Sequence, residues 1–235
     1  LVEAMLQARA AGKPIIWGMG GHVIKCGLAP VLIGLMERGF ATAFAMNGST
    51  AIHDFEIAVA GSTSEDVAAA LPGGEFGAAE ETGRWMNQAL AGAGGEMGAG
   101  EALGRCLDQK ADPRFASYSL LLAAWRRPVP VTVHVAVGTD TPHTHPAAEG
   151  AAIGRTSHRD FRLFCALIAA MNGGGVYINA GSAVVLPEVF LKAVSVVRNL
   201  GRPLADFTTA NLDFLQHYRP RLNVVERPHA GAGGD

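Results

Sequence analysis

"PIIWGMGGHVIKCGLAPVLIGLMERGFATAFAMNGSTAIHDFEIAVAG", residues 14–61, is the stretch that decides the fold class. An apolar run at 14–17 is followed by glycines and then by apolar residues at helical spacing, which end at a glycine. A second apolar run at 40–46 leads through a polar corner into another helix. This order of strand, loop, helix and strand predicts two parallel strands joined by a right-handed crossover.

The same alternation returns later in the chain. After a long helical segment, runs rich in β-branched residues alternate with amphipathic helices. We expect helices at 157–171 and 186–201, and further strands or extended segments at 129–138, 173–182, 204–214 and 222–226. The pattern predicts an α/β fold with a Rossmann-like, mostly parallel sheet that has helices on both faces.

Length and punctuation predict the domain organisation. The 235 residues suffice for one large α/β domain, and no long linker divides them. We predict a single domain over 1–235 with a helical insert over 64–124. The closing HAGAGGD predicts a disordered tail at 229–235.

Composition argues against two classes of partner. Apolar residues make up 49% of the chain, but no apolar run reaches the roughly 18 residues of a membrane span. The net charge is −2 and the 19 Lys and Arg residues form no basic stripe, so neither a membrane nor a nucleic acid is expected. The first residues lack an export signal, and Cys26, Cys106 and Cys165 are spaced like buried, reduced thiols. A cytoplasmic protein is predicted.

The polar loops after the strands predict the ligand site, because ligands of open parallel sheets bind beyond the carboxyl ends of the strands. Five strand ends carry loops rich in Gly, Asn, Ser, Thr, His and acids: GMGGHVIKCG (18–27), MNGSTAIHDFE (46–56), GTDTPHTHP (138–146), NAGSAV (179–184) and TTANLDF (208–214). His53, Asp54 and Glu56 are the acid–base candidates, and His143 is a fourth catalytic candidate. The alternative for the two acids is a helix start whose acids complement the helix dipole.

The glycine-rich stretch at 18–27 has two interpretations. Gly18 and Gly20 fit the GxG part of a dinucleotide fingerprint, but Val23 stands where the third glycine belongs. No acidic residue ends the second strand. The stretch is either one wall of a nucleotide pocket or a tight strand-to-helix turn.

A metal site is a second hypothesis. His143 and His145 flank one residue and would share a face of an extended segment, where Asp140 or His134 could join them around a divalent ion. The chain has no HExxH pattern, so distant residues such as His53 would have to complete the ligand set. This hypothesis predicts a metal-dependent hydrolase or lyase.

Four segments follow the order of one known family. They are GGHVIKCGLAPVLIGLMERGFATAFAMNGSTAIHDFEIA (20–58), VAVGTDTPHTHP (135–146), GVYINAGSAVVLPEVFLKA (175–193) and FTTANLDF (207–214). They resemble the Ser/Gly-rich loop with its Thr-Ala-Gly-Gly corner, the Thr-Asp-Gly strand end, the glycine-rich corner and the Asn-Thr-Ala corner of deoxyhypusine synthases. The chain is similar to a divergent, bacterial-type member of that family over most of residues 14–215.

The resemblance implies a Rossmann-like fold, NAD as the cofactor, and a homo-oligomer, tetramer or dimer, with sites between subunits. In that family an aminobutyl group passes from spermidine to a protein lysine. By position, the resemblance implies cofactor contacts at Gly20, His22, Asn47, Gly48, Ser49, Thr139, Asp140, Asn179, Ala180 and Thr209. Glu56 or Asp54 would meet the amine.

Two departures limit the resemblance. The histidine of the family's later glycine-rich corner is absent, with Leu186, Pro187 and Glu188 in its neighbourhood. The family's imine-forming lysine should precede the helix that holds Asp160, but the only lysines are Lys13, Lys25, Lys110 and Lys192. An imine needs an amine nucleophile, so deoxyhypusine synthesis itself is not expected. The sequence leaves open whether the protein is an enzyme; for an enzyme, we predict NAD-dependent transferase- or oxidoreductase-like chemistry on an amine or small polar metabolite. A non-catalytic nucleotide-binding or sensing protein is the third hypothesis.

Overall fold

The computed structural model describes residues 1–230 and contains a five-stranded parallel sheet with helices on both faces. The predicted Rossmann-like fold class is therefore confirmed. In chain order the elements are α1 (Val2–Ala10), β1 (Ile15–Met19), α2 (Gly21–Lys25), α3 (Ala29–Glu37), β2 (Ala43–Asn47), α4 (Gly48–Ala60), α5 (Val67–Ala70), α6 (Glu80–Ala91), α7 (Ala99–Lys110), α8 (Leu120–Arg126), β3 (Val131–His134), α9 (Gly150–Ala170), β4 (Val176–Ala180), α10 (Val185–Asn199), β5 (Thr208–Leu212) and α11 (Tyr218–Pro220).

The strand order of the sheet is β3-β2-β1-β4-β5. This is the order of the nucleotide-binding sheet, in which the direction of winding reverses between β1 and β4. In the register, Gly18 lies opposite Ala45 on one side and Asn179 on the other, and Asn47 lies opposite His134. The carboxyl ends of the strands, with their polar loops, therefore meet at one edge of the sheet.

Both faces of β1, β2, β3 and β4 are buried almost throughout, which explains why these strands are mostly apolar, whereas the edge strand β5 is only partly buried. One face packs Phe44, Met46 and Val133 against α3, α4 and the helices between β2 and β3. The other packs small residues such as Ala45 against the aromatic rings of α9, β4 and α10. There, the buried ring of Tyr177 stacks on the Phe190 ring with centroids 4.0 Å apart.

Side chains of α9 bond to the outer edge of β3, which pairs with no strand in the part of the chain that the structure describes. The Val133 backbone N–H donates to the Asp160 carboxylate at 2.7 Å, and the Ser157 hydroxyl donates to the Val133 carbonyl at 3.0 Å. The same carboxylate accepts from the Gly100 N–H at the start of α7. Burial raises the pKa of Asp160 to about 7, against the effect of these backbone hydrogen bonds. Asp160 therefore has a structural task on this edge.

Three local predictions were wrong. The single helix expected after β1 is two helices, because Gly27 ends α2 with φ +81° and a proline helps begin α3. The segment 222–226, expected as a strand or extended segment, lies in a π-helix at Arg221–Glu226. Cys26 is exposed, and the other two cysteines are partly exposed, so none is a fully buried thiol.

The chain's last residues can be described only in part. Residues 231–235 of the predicted tail at 229–235 lie outside the described residues. His229, which does lie within them, shares a hydrogen bond of 2.9 Å with the Thr209 hydroxyl through its Nε2. Across residues 1–230, no helix combines the length and apolarity needed to cross a bilayer.

Candidate functional site

A cleft of about 1000 Å³ opens at the carboxyl ends of β2 and β3 and runs along α4. Its border takes residues from three segments: the cleft-facing side of 47–60 in β2 and α4, several residues of 62–82 in the helical segment, and Ala136, Thr139, Asp140 and Thr141 after β3. Lys25 and Val185 contribute from α2 and α10. We call this the α4 cleft. Since α4 has 13 residues, the cleft extends for about 20 Å along the helix axis.

The inner end of the α4 cleft lies at the start of α4. The Asn47 side-chain Oδ1 caps the helix by accepting from the Thr50 backbone N–H at 2.9 Å, and it also accepts from the Ser49 hydroxyl at 3.0 Å. The cap uses the oxygen of the amide and leaves its Nδ2 hydrogens for other partners. The backbone N–H groups of Gly48 and Ser49 belong to the first turn, where no intrahelical acceptor exists.

Asp140 and Thr139 form the wall opposite this helix start. The Asp140 carboxylate accepts from the Ala136 backbone N–H at 2.9 Å. It packs directly on Gly48, where an added Cβ would stand 1.9 Å from Asp140 Oδ2. Burial raises the pKa of Asp140, partly offset by the Ala136 hydrogen bond. The glycine at 48 therefore lets a carboxylate pack against the helix start.

The middle of the cleft holds a hydrogen-bonded chain of three side chains. His53 Nδ1 lies 2.7 Å from the Thr63 hydroxyl, which donates to Glu56 Oε2. The other Glu56 oxygen accepts from the Thr82 hydroxyl at 3.3 Å. Burial lowers the pKa of His53, although the nearby Glu56 acts in the opposite direction. This lowered pKa favours the neutral imidazole, the form in which a histidine can accept a proton.

Asp54 faces away from the α4 cleft. Its carboxylate is fully buried and accepts from the Ser119 hydroxyl at 2.6 Å and from the backbone N–H groups of Leu120 at 2.7 Å and Leu121 at 3.0 Å. Burial raises its pKa to about 6, although these three hydrogen bonds favour the charged form. These contacts show that Asp54 stabilises the start of α8. This role differs from the acid–base role expected from the sequence.

The glycines of the β1 loop contact protein atoms. A Cβ on Gly18 would lie 2.2 Å from the Tyr177 hydroxyl, and one on Gly20 would lie 2.1 Å from the Gly181 carbonyl oxygen. A Cβ on Gly21 would lie 2.7 Å from the Ser49 hydroxyl. Gly20 also donates its N–H to the Ala180 carbonyl at 3.0 Å, which joins the loops after β1 and β4. The β1 loop thus packs closely on its neighbours.

The remaining predicted cofactor residues do not border the α4 cleft. His22 is exposed on α2, and Ala180 and Asn179 are buried at the end of β4. The Asn179 Nδ2 group donates to the Ser182 carbonyl at 2.9 Å and to the Asn211 side chain. The Thr209 hydroxyl is hydrogen-bonded to His229 Nε2. Of the ten predicted cofactor residues, the cleft brings together Asn47, Gly48, Ser49, Thr139 and Asp140.

The two histidines of the β3 loop have separate surroundings. His145 Nε2 bonds to Glu80 Oε2 at 2.9 Å, and its Nδ1 accepts from the Ala147 N–H at 3.0 Å. His143 borders a small cavity of about 20 Å³ that Asp140 also lines. Within residues 1–230, no three His, Cys, Asp or Glu side chains are grouped so that they could hold a metal ion. Both His145 nitrogens are already used, so the geometry gives the metal hypothesis no support.

Several cleft residues had not been singled out from the sequence. Thr63 and Thr82 bond to His53 or Glu56, and three further acids from the segment after α4, Glu65, Glu75 and Glu81, line the cleft. Among the lining residues within 1–230, Lys25 is the one Lys or Arg. The threonines and acids follow α4 in the chain, but sequence spacing does not reveal that the segment after α4 folds back over it.

Comparison with known proteins supports the fold. No protein-family model and no curated protein sequence matches the chain. Among solved structures, a conserved protein provisionally named LOR/SDH from Methanococcus maripaludis S2 is 13% identical over 90% of this chain and 62% of its own, with a TM-score of 0.52. Unliganded AgrE is 14% identical over 88% of this chain and 29% of its own, with a TM-score of 0.51.

A provisionally named deoxyhypusine synthase from Entamoeba histolytica is 14% identical over 90% of this chain and 72% of its own, with a TM-score of 0.48. AgrE has also been crystallised in a ternary complex with ornithine and NAD+. At these identities the shared feature is the fold. The chain spans less than two thirds of the length of the LOR/SDH protein and less than a third of AgrE.

Proposed function

We propose that this protein binds a nicotinamide dinucleotide in the α4 cleft and acts on an amine or another small polar metabolite. The observation that carries the proposal is the cleft itself, which has a volume of about 1000 Å³ and lies at the carboxyl ends of the strands in a sheet of nucleotide-binding order. The fold shared with AgrE, a protein crystallised with NAD+, agrees with it.

The inner end of the cleft fits a dinucleotide. The first turn of α4 includes the backbone N–H groups of Gly48 and Ser49, which have no intrahelical acceptor and suit the phosphates. Asp140 and Thr139 offer a carboxylate and a hydroxyl on the opposite wall, which suit ribose hydroxyls. A bound nicotinamide dinucleotide would supply two-electron chemistry, and the residues of this chain would bind and orient the partners.

The middle of the cleft and the segment after α4 together fit a cation. They contribute Glu56, Glu65, Glu75 and Glu81 to the lining, whereas Lys25 is the only Lys or Arg among the lining residues within 1–230. A cleft with this excess of acids raises the local concentration of cations, so it favours an amine substrate. The expectation from the sequence that Glu56 meets an amine becomes part of the proposal, and Asp54 is left out because it faces α8.

We include in the proposal a distant relationship to the deoxyhypusine synthases and self-association of the chain. The order of the polar corners supports the relationship. The end of β5 and the segment after it support self-association, because the apolar side chains of Leu212, Phe214, Leu215 and Tyr218 are exposed there, Phe214 completely. Light scattering of the purified chain should give a mass above that of one 24.4 kDa chain, and a monomer at micromolar concentration would contradict this part.

Calorimetry with NAD tests the cofactor, with NADP and ADP-ribose as comparisons. We expect saturable NAD binding that Thr139→Trp weakens at least about tenfold, because the indole would fill the inner end of the cleft. Val137→Trp is the matched control, since Val137 is 76% exposed in the same loop and does not line the cleft. Absence of binding to all three ligands, or equal affinity in both variants, would reject the cofactor assignment.

Turnover separates an enzyme from a binding or sensing protein. A panel of primary amines and alcohols, incubated with NAD, should give NADH absorbance for at least one class of substrate. Saturable NAD binding without conversion of any compound would favour the non-catalytic hypothesis.

A further inference from the structure

The three side chains in the middle of the α4 cleft form a directed hydrogen-bond chain. A threonine hydroxyl has one hydrogen to donate, and an ionised carboxylate can only accept. The Thr63 hydroxyl donates that hydrogen to Glu56 Oε2. It must therefore accept from its other partner, His53 Nδ1, which lies 2.7 Å away.

This direction determines where the proton of the neutral imidazole lies. If Nδ1 donates to Thr63, then Nδ1 carries the hydrogen and Nε2 carries the lone pair. Among residues 1–230, Nε2 of His53 has no hydrogen-bond partner, and His53 borders the cleft. The proton-accepting nitrogen is therefore available to a ligand in the cleft.

The same contacts limit what Glu56 can do. Its two oxygens accept from Thr63 and from Thr82. Thr63 stands between Glu56 and His53, so the carboxylate stabilises positive charge on the imidazole through a hydroxyl. The other titratable or charged groups that influence His53 are His22 and Lys25 on α2, and both disfavour a positive imidazole.

We propose that Thr63 is a positioning residue that holds His53 in the Nδ1–H tautomer, so that His53 Nε2 is the base of the α4 cleft. The base removes a proton from a hydroxyl or ammonium group of the ligand. The O–H or N–H bond breaks, its electron pair stays on the ligand, and a new N–H bond forms at Nε2. The resulting imidazolium is stabilised by Glu56 through Thr63.

Nitrogen-15 NMR of the histidine side chains tests this inference without any ligand. In the wild-type protein, above the pKa of His53, we expect Nδ1 to resonate as a protonated nitrogen and Nε2 as an unprotonated one. The chain has eight histidines, so His53→Gln identifies the signals. A wild-type His53 that carries its proton on Nε2 would overturn the inference.

Three variants separate positioning from general structure. Thr63→Val should shift His53 toward the Nε2–H tautomer, whereas Thr63→Ser should retain the wild-type signals. Thr82→Val is the matched control, because Thr82 bonds to the same carboxylate but not to His53. Unchanged signals in folded Thr63→Val, or an equal change in Thr82→Val, would also overturn the inference.

The inference rests on the proposed function for its ligand, and the two can fail separately. If the wild-type protein does not bind NAD but His53 has the expected tautomer, the cofactor assignment is rejected and the inference about His53 stands. Where an amine or alcohol is turned over, Thr63→Val should lower kcat at least about tenfold with little change in KM, and Thr63→Ser should restore it.

Discussion

The loop after β1 and the corner after β2 are both glycine-containing turns from a strand into a helix, and they lie side by side at the same edge of the sheet. The first has the better glycine spacing for a dinucleotide, yet Gly18, Gly20 and Gly21 are each packed against protein atoms. The second has no recognised fingerprint, yet Asn47 and Ser49 border the cleft. Glycine spacing indicates that something approaches the backbone closely, and it does not say whether that is a ligand.

Gly20→Ala should have the largest effect, and it tests whether the loop after β1 is tightly packed. The new Cβ would stand 2.1 Å from the Gly181 carbonyl oxygen, and both atoms belong to backbone that cannot move without separating the β1 and β4 loops. We expect the free energy of unfolding to fall by about 3 kcal/mol or more. Urea unfolding followed by circular dichroism measures this, and a loss below about 1 kcal/mol would mean that the loop is loosely packed.

Asp54→Ala tests the side of α4 that packs against α8 and faces away from the cleft. The variant leaves the Ser119 hydroxyl and two backbone N–H groups buried without their acceptor, and we expect a loss of about 2 to 3 kcal/mol at neutral pH. Glu56→Gln on the cleft side is the control and should change stability by less than about 1 kcal/mol. Equal losses in the two variants would contradict the division of α4 into a structural and a ligand-facing side.

The pH dependence of the free energy of unfolding, compared between wild type and Asp54→Ala, tests the structural role of Asp54 further. Because burial raises the pKa of Asp54 to about 6, the folded protein holds this proton more tightly than the unfolded chain. This contribution is fully present below the ordinary pKa of 3.8 and is lost as the pH rises through about 6. The stability difference between wild type and Asp54→Ala should therefore widen from pH 7 to pH 4. A difference that narrows toward acid would show that Asp54 is stabilised in its charged form.

Asn47 allows the two tasks of the β2 corner to be separated. Asn47→Ala should cost about 1 kcal/mol, since it removes the cap of α4. Asn47→Asp keeps a capping oxygen and should change stability by less than about 0.5 kcal/mol, while its charge repels phosphates at the helix start. NAD affinity in Asn47→Asp should fall at least about tenfold by calorimetry. Unchanged NAD affinity in Asn47→Asp would mean that the phosphates bind elsewhere than at the start of α4.

A small effect of opposite sign is expected at a glycine outside the packed loops. Gly34 lies inside α3, and an added Cβ would meet nothing within 4 Å. Gly34→Ala should therefore raise the free energy of unfolding by about 0.5 to 1 kcal/mol, because alanine restricts the unfolded chain and favours the helix. Destabilisation in the same urea experiment would show that the criterion used for Gly20 does not discriminate between glycines.

Much of the fold could be predicted because its signals are local. Apolar runs, helical periodicity and the glycines between them predicted the parallel sheet. The exception at Arg221–Glu226 has a local cause too, since LNVVE is rich in β-branched residues but lies within a helical turn of the chain. Short apolar runs of this kind do not distinguish a strand from a helix.

The candidate site could be predicted only in part. His53 and Glu56 are three residues apart on α4 and share a face, whereas Asp54, next to His53, points about 100° away around the helix. Helical periodicity would have separated these acids, had the start of α4 been known. Thr63 could not be found in this way, because the chain reverses at Gly61, where φ is +75°.

The sequence by itself determined the class of fold and the edge of the sheet at which polar groups collect, because strand and helix patterns depend on neighbours a few residues apart. Only the tertiary structure decided that Gly20 faces Gly181, that Asp54 faces α8, and that Thr63 joins His53 to Glu56. These contacts join residues up to 161 positions apart in the chain, as between Gly20 and Gly181. They depend on how helices, strands and loops that are distant in the chain pack together, and no local pattern of residues specifies this packing.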